Sequence, residues 1–174
     1  MHSLNKRKDL GDFLNSLGLN RFGVEVGVFR GDFADTILSQ WNGKQLFLVD
    51  QWGSGKRMQR VRQRTYDRFR EDSRVIIYEG SSMEMSKSFE DNTLDWVYID
   101  AAHDYKNVSI DLLSWYPKVR SGGLVAGHDY TNDNTRREEY GVRDAVDDFV
   151  RLLVYPELFV TNEGRKSSWY FIKG

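Results

Sequence analysis

Phe22-Gly-Val-Glu-Val-Gly-Val-Phe-Arg-Gly-Asp-Phe-Ala34 is the stretch that decides the fold. Apolar residues around Glu25 make a short strand, Gly23 to Val26. The spacing Glu25-x-Gly27-x-x-x-Gly31 then turns the chain into a helix that starts near Asp32 and runs towards Gln40. About 20 residues later, Leu46-Phe-Leu-Val-Asp50 is a second apolar strand ending on an acid. This order suits a nucleoside cofactor, because glycines let a ligand lie against the backbone and a carboxylate accepts hydrogen bonds from ribose hydroxyls. Glu25 sets the charge. A carboxylate at the end of the first strand repels a pyrophosphate, so a cationic cofactor fits better than a dinucleotide.

S-adenosylmethionine is a cationic nucleoside of that kind. At 174 residues the chain is expected to form one domain, with residues 1–20 as a lead-in helix and 21–174 as the core. No apolar run approaches the ~20 residues of a membrane span. The basic start, Met1-His-Ser-Leu-Asn-Lys-Arg-Lys8, lacks the apolar stretch of a signal peptide. Zero cysteines exclude disulfides and Cys-zinc sites and fit a cytoplasmic location. A net charge of −1 supplies no global field towards nucleic acid.

Strands and helices alternate along the chain. Leu10, Phe13, Leu14 and Leu17 recur at helical spacing, and Gly18 ends that helix. Strand two is Gln45 to Val49. A long polar helix follows, about Lys56 to Arg70, with Met58, Val61, Thr65 and Phe69 on one face. Arg74-Val-Ile-Ile-Tyr78, Leu94-Asp-Trp-Val-Tyr-Ile99 and Leu124-Val-Ala126 read as strands three to five, the last after a Gly122-Gly123 turn. Val142, Ala145, Val146 and Phe149 share a helical face. Leu158 to Thr161 and Ser168 to Ile172 flank Asn162-Glu-Gly-Arg165 as a closing hairpin. Such a pattern predicts an α/β fold, a mostly parallel sheet covered on both faces with an antiparallel last strand.

These motifs together resemble the class I S-adenosylmethionine-dependent methyltransferases, and among them the methyltransferase-24 type. The resemblance runs from about Arg21 to Lys173. It rests on Val24-Glu-Val-Gly-x-x-x-Gly-x-x-Ala34, Val49-Asp50, Glu79-Gly-Ser-Ser82, Asp95-Trp-Val-Tyr-Ile-Asp100-Ala-Ala-His103-Asp-Tyr105, Ser121-Gly-Gly123, Gly127-His-Asp-Tyr130 and Gly141-Val-Arg-Asp-Ala-Val-Asp-Asp-Phe149. Each piece alone is weak; their order and spacing are specific. The resemblance implies a Rossmann-like seven-stranded sheet in the order 3-2-1-4-5-7-6, strand seven antiparallel. It implies transfer of a methyl group from S-adenosyl-L-methionine.

Roles follow for single residues. Val26, Gly27 and Gly31 line the turn where the cofactor's methionine part would lie, and Glu25 attracts its ammonium group. Asp50 holds the ribose hydroxyls or caps a loop. Gln51 and Trp52 flank the adenosine, Trp52 either stacking on it or packing in the core. In related enzymes an acid after strand three contacts the adenine amino group. Here Gly80, Ser81 and Ser82 stand in that loop, and Ser82 either touches ligand or caps a helix. Asp100 and Ala101 leave strand four beside the cofactor. Two of the three histidines, His103 and His128, follow strands four and five, where the chemistry belongs. Each is a base candidate for a hydroxyl acceptor, or a hydrogen-bonded loop histidine.

Some related sugar O-methyltransferases hold magnesium between an acid after strand four and an Asp-Asp pair after strand five. Asp100 and Asp129 match two of those positions. His128 departs from the pattern and is a poor magnesium ligand, which leaves a divalent ion such as magnesium or manganese as the expectation. Lys56, Arg57, Arg60, Arg62, Arg64, Arg68, Arg70 and Arg74 crowd into 19 positions, either a solvated helix face or a phosphate contact. Tyr130 to Tyr140, including Arg136-Arg137-Glu138-Glu139, is the expected lid. The expected acceptor is a small molecule or sugar. With little sequence beyond the core, the acceptor is large and bound in an open cleft, or a second subunit of a homo-oligomer covers it. Competing readings are a nucleic-acid methyltransferase, a cofactor-binding protein without catalysis, and a nicotinamide-dependent dehydrogenase. Glu25 and the missing Gly-x-Gly-x-x-Gly run speak against the last.

Overall fold

Alternation along the strands sorts the core into two layers. In β2 (Gln45–Asp50), Leu46 and Leu48 pack on one face of the sheet, while Phe47 and Val49 pack on the other. In β4 (Leu94–Ile99), Trp96 and Tyr98 likewise oppose Val97 and Ile99. The computed structural model describes residues 3–132, 140–153 and 156–174, and at 165 the backbone only. Most of the expected lid, residues 133–139, lies outside the described residues, and so does Arg136-Arg137-Glu138-Glu139.

On the first face lie α1 (Leu10–Ser16), α2 (Asp32–Gln40) and α3 (Lys56–Phe69). Leu10 and Leu14 are fully buried and tie α1 to the sheet, each contributing about 1.5–3 kcal/mol. Leu17 does not join them. It follows the last helical turn and is 42% exposed. The second face is covered by α4 (Ser82–Ser86), α5 (Tyr105–Trp115) and α6 (Val142–Leu152).

The sequence reading has no helix between strands four and five, yet α5 is there. Asp104 caps it by accepting from the Asn107 N–H at 3.1 Å, and Val108, Leu112 and Trp115 recur on its buried face. Strand β5 is also longer than expected, Val119–Gly127, and its register against β4 shifts between Leu94 and Trp96.

The seven strands include β1 (Phe22–Val26), β3 (Val75–Glu79), β6 (Phe159–Val160) and β7 (Trp169–Ile172). Their order is β3-β2-β1-β4-β5-β7-β6, with β7 antiparallel to both β5 and β6. The parallel order reverses between β1 and β4. A crevice opens outside the carboxyl ends of the strands there, the place where such sheets bind ligands.

Candidate active site

That crevice is a cleft of about 940 Å³. Its floor is the turn after β1. The Gly27 N–H donates to Val49 O at 2.9 Å, and the Asp100 N–H donates to Val26 O at 2.7 Å, so the turn is clamped between the ends of β2 and β4. Gly27 has φ +93°, and a Cβ there would meet Asp100 O at 2.1 Å. Of the residues singled out from sequence, Glu25, Val26, Gly27, Asp50, Gln51, Gly80, Ser81, Ser82, Asp100 and Ala101 line the cleft.

Gly31 and Trp52 do not line it. A Cβ on Gly31 would strike the Phe69 ring at 2.5 Å, so this glycine serves the packing of α3 on the turn. Trp52 is 2% exposed, donates Nε1–H to Phe29 O at 2.8 Å and packs against Tyr66. It is a core residue. Two phenylalanine rings that sequence reading missed, Phe29 and Phe33, line the cleft instead.

Asp50 accepts the Phe29 N–H on Oδ2 and the Trp52 N–H on Oδ1, both at 2.7 Å. It therefore caps the loop, while each oxygen keeps a further acceptor direction for a hydroxyl. Ser81 is the N-cap of α4, one residue earlier than the sequence indicates, and its Oγ donates to Glu84 Oε2 at 2.9 Å. Ser82 Oγ accepts from Trp115 Nε1 at 2.8 Å. Beside it in the cleft stands Asp111 of α5, nearly buried and pushed up to about 6 by burial, with Ser82 opposing the shift. An acid thus reaches the loop after β3 from a helix the sequence reading had left out.

Glu25 is 1% exposed, and its Oε2 has no hydrogen-bond partner. Burial pushes its carboxyl well above the ordinary glutamate range; Arg7 opposes this, and Asp100, Asp50 and Asp32 add to it. Arg7 arrives from the single 3-10 turn before α1. Its guanidinium lies 3.9 Å from the Phe33 ring centroid and pairs with Asp100 Oδ2 at 2.6 Å.

Ionisable side chains meet at the ends of β4 and β5. His103 Nε2 is 3.0 Å from Asp129 Oδ2 and 4.0 Å from Asp100 Oδ1. His128 Nδ1 is 3.3 Å from Asp129 Oδ1 and 3.9 Å from Asp100 Oδ1. Tyr140 stacks on the His103 ring at 5.0 Å, and Lys166 Nζ donates to the Tyr140 hydroxyl at 2.8 Å.

Hydrogen bonding to Asp100 and Asp129 raises His103 to about 9, against the pull of burial. Burial would raise Asp129, but His103 and His128 outweigh it and hold that carboxyl well below the usual range. Asp129 Oδ1 is buried and accepts no hydrogen bond. Asp100, His103 and Asp129 bring donor atoms within 4.8 Å of one another, enough to surround a metal ion. Three of the four described non-glycine residues with positive φ, Phe29, Trp52 and Asp129, sit in the loops that build the cleft. Held strain of this kind gathers at working sites.

Fold and site define a class I methyltransferase. A family model described as "Methyltransferase domain", the methyltransferase-24 family, matches residues 24–130, more than half of the chain. The chain belongs to that family and is an S-adenosylmethionine-dependent methyltransferase. No curated protein matches it in sequence. Among solved structures, an O-methyltransferase family protein from Burkholderia thailandensis aligns at TM-score 0.72 and 15% identity, over 96% of this chain and 55% of that one. The N-methyltransferase NodS from Bradyrhizobium japonicum aligns at TM-score 0.68 and 14% identity, over 95% of each chain. Likenesses at that identity speak for the shared fold alone. Among the described residues no helix is long and apolar enough to cross a membrane.

Proposed function

We propose that the cleft holds S-adenosylmethionine with its ammonium group towards Glu25, its ribose on Asp50, and its adenine between Phe29 and the Ser81, Ser82 and Asp111 edge. The methyl group passes to an oxygen (or nitrogen) of a small-molecule or sugar acceptor. The observation that carries this reading is the meeting of Asp100, His103, His128 and Asp129 within 4.0 Å at the ends of β4 and β5, beside the Gly27 turn.

Transfer to a hydroxyl forms the O–CH₃ bond as the S–CH₃ bond breaks in line, and the hydroxyl proton must leave. Asp129, ionised and buried, fixes both imidazoles. His103 is an imidazolium at neutral pH, so there it orients the acceptor oxygen by donating a hydrogen bond. It takes up the acceptor's proton only on the alkaline side. His128 is the second candidate base.

The same cluster fits a divalent ion, because Asp129 Oδ1 is buried and accepts no hydrogen bond, with His128 Nδ1 at 3.3 Å and Lys166 Nζ at 3.6 Å as its neighbours. Asp100, His103 and Asp129 would hold it, and an imidazole among the donors favours manganese over magnesium. When bound, such an ion supplies Lewis acidity that lowers the pKa of an acceptor hydroxyl. His103 must be neutral to ligate, so binding releases its proton.

Calorimetry with S-adenosylmethionine and S-adenosylhomocysteine tests the cofactor site. Binding in the wild type that Asp50→Ala weakens by ~1–3 kcal/mol is expected. No binding of either compound by folded protein would sink the proposal.

A nucleic-acid acceptor is the second reading, favoured by one feature. A groove of about 630 Å³ is lined by Arg30, Lys56, Arg57, Arg60, Arg64 and Arg68, and it shares Arg30 and Asp32 with the cofactor cleft. Arg68 is tied to Asp32 and Asp35, but the other five cations form no ion pair with a described residue. RNA affinity that falls steeply with salt would support this reading. Its absence would leave the groove a solvated face.

A further inference from the structure

The cofactor proposed above carries three charged groups, and the cleft as assigned accounts for only some of them. Glu25 and Asp100 offer negative charge to the ammonium and sulfonium groups. The methionine carboxylate needs a cation. Three cationic side chains other than histidine line the cleft: Arg7, Arg30 and Lys166. Lys166 is engaged on the β5 side, with the Tyr140 hydroxyl at 2.8 Å and Asp129 at 3.6 Å. Arg30 is exposed and lies over the Phe29 ring, on the nucleoside side.

Arg7 alone stands at the methionine end. Its guanidinium is sandwiched near the rings of Phe33 and Tyr98, 3.9 and 5.1 Å from their centroids, and is paired to Asp100 through one nitrogen. Its Nε is buried with no hydrogen-bond partner. A charged donor left unsatisfied in a ligand cleft, opposite an equally unsatisfied Glu25 Oε2, is costly unless a ligand completes it.

The placement is also built. The Leu4 N–H donates to the Tyr170 hydroxyl at 3.0 Å, the Asn162 N–H to Asn5 O at 3.0 Å, and the Arg7 N–H to Glu163 Oε2 at 2.8 Å. Residues 4–7 thus form a strap strung across the closing hairpin, outside the span of the family model.

We infer that Arg7 is a cofactor-binding residue, and that its guanidinium anchors the carboxylate of the methionine moiety while Glu25 takes the ammonium group. The inference rests on the cofactor reading above. A planar fork with donors on several nitrogens suits a carboxylate, and aromatic faces on its flank hold it in plane.

The test compares S-adenosylmethionine with decarboxylated S-adenosylmethionine, which keeps the sulfonium and the amine. Both are titrated into wild type, Arg7→Ala and Arg7→Lys. Wild type is expected to bind the complete cofactor about 10- to 100-fold more tightly. Arg7→Ala should lose most of that preference; Arg7→Lys should keep part of it. Equal affinity of wild type for both compounds overturns the role of Arg7, and that arm needs no variant to fold. A preference that survives Arg7→Ala, or tighter binding of the complete cofactor by Arg7→Ala, overturns it too. Wild type binding neither compound removes the cofactor reading itself.

Discussion

The two halves of the cleft are built from different materials. On the β1–β2 side the main chain does the shaping: Gly27 pressed against Asp100 O, and the Phe29 and Trp52 N–H groups gathered on Asp50. On the β4–β5 side the contacts run between ionisable side chains, where His103, Asp129, His128 and Asp100 lean on one another. The first half is main-chain geometry, with the buried Glu25 as the titrating group beneath it. The second is electrostatics, and its state changes with every proton or cation that enters. A methyltransferase needs both, a fixed seat for the donor and an adjustable one for the acceptor.

The harshest way to break the first half is Gly27→Ala. The added Cβ meets a carbonyl at 2.1 Å in a left-handed backbone, and the clash and strain together cost about 2–5 kcal/mol. A urea melt should show that loss, with cofactor binding gone.

Glu25→Gln is subtler. The raised Glu25 carboxyl contributes its stability only at low pH and loses it as pH rises through the folded-state value. Removing the charge should therefore stabilise the empty protein at neutral and alkaline pH and leave it nearly unchanged in acid. Cofactor affinity should fall by ~1–3 kcal/mol. Thermal melts across pH, with calorimetry beside them, read both effects.

The second half is sharpened by following His103 in NMR. Its imidazole should titrate near 9 in wild type and shift back towards the ordinary range in Asp129→Asn. Because the folded value is raised, the stability it contributes is complete below about 6.5 and is lost as pH climbs through about 9. A midpoint near 6.5 in wild type would mean that the two acids do not hold it.

The smallest effect belongs to neither half. Arg57→Ala, Arg60→Ala and Arg64→Ala together should move stability by no more than about 0.5 kcal/mol per site and leave cofactor affinity unchanged. A change in cofactor affinity would join the basic groove to the cleft.

The same division explains what could be read in advance. The strand, glycine turn and acid of residues 22–50 are local, so their order in the chain carries their arrangement in space. The sheet order was implied by the family resemblance and the antiparallel β7 by the closing hairpin, and the structure has both. The positions of Asp100, His103, His128 and Asp129 were visible at strand ends, but the charge on His103 arises from neighbours that only the fold brings close.

For Trp52 the sequence left stacking on the ligand and packing in the core both open, and the structure has the second. Its place after Asp50 points to the ligand, while a positive φ of 36° turns the ring into the core and leaves Phe29 exposed in the cleft. Asp111 went unseen because α5 itself was unread, and Arg7 because nothing in Asn5-Lys-Arg-Lys8 says which of three basic side chains turns inward.

The strap has a bearing on how the protein is made. Its hydrogen bonds join partners 156 and 166 positions apart. Contacts of that span form late, after the loops between them have closed. On a ribosome the glycine turn and Asp50 can fold as soon as the first strands emerge, but residues 4–7 must wait for β7. The seat for the nucleoside comes early in synthesis, and Arg7 reaches its place only after the closing hairpin has emerged.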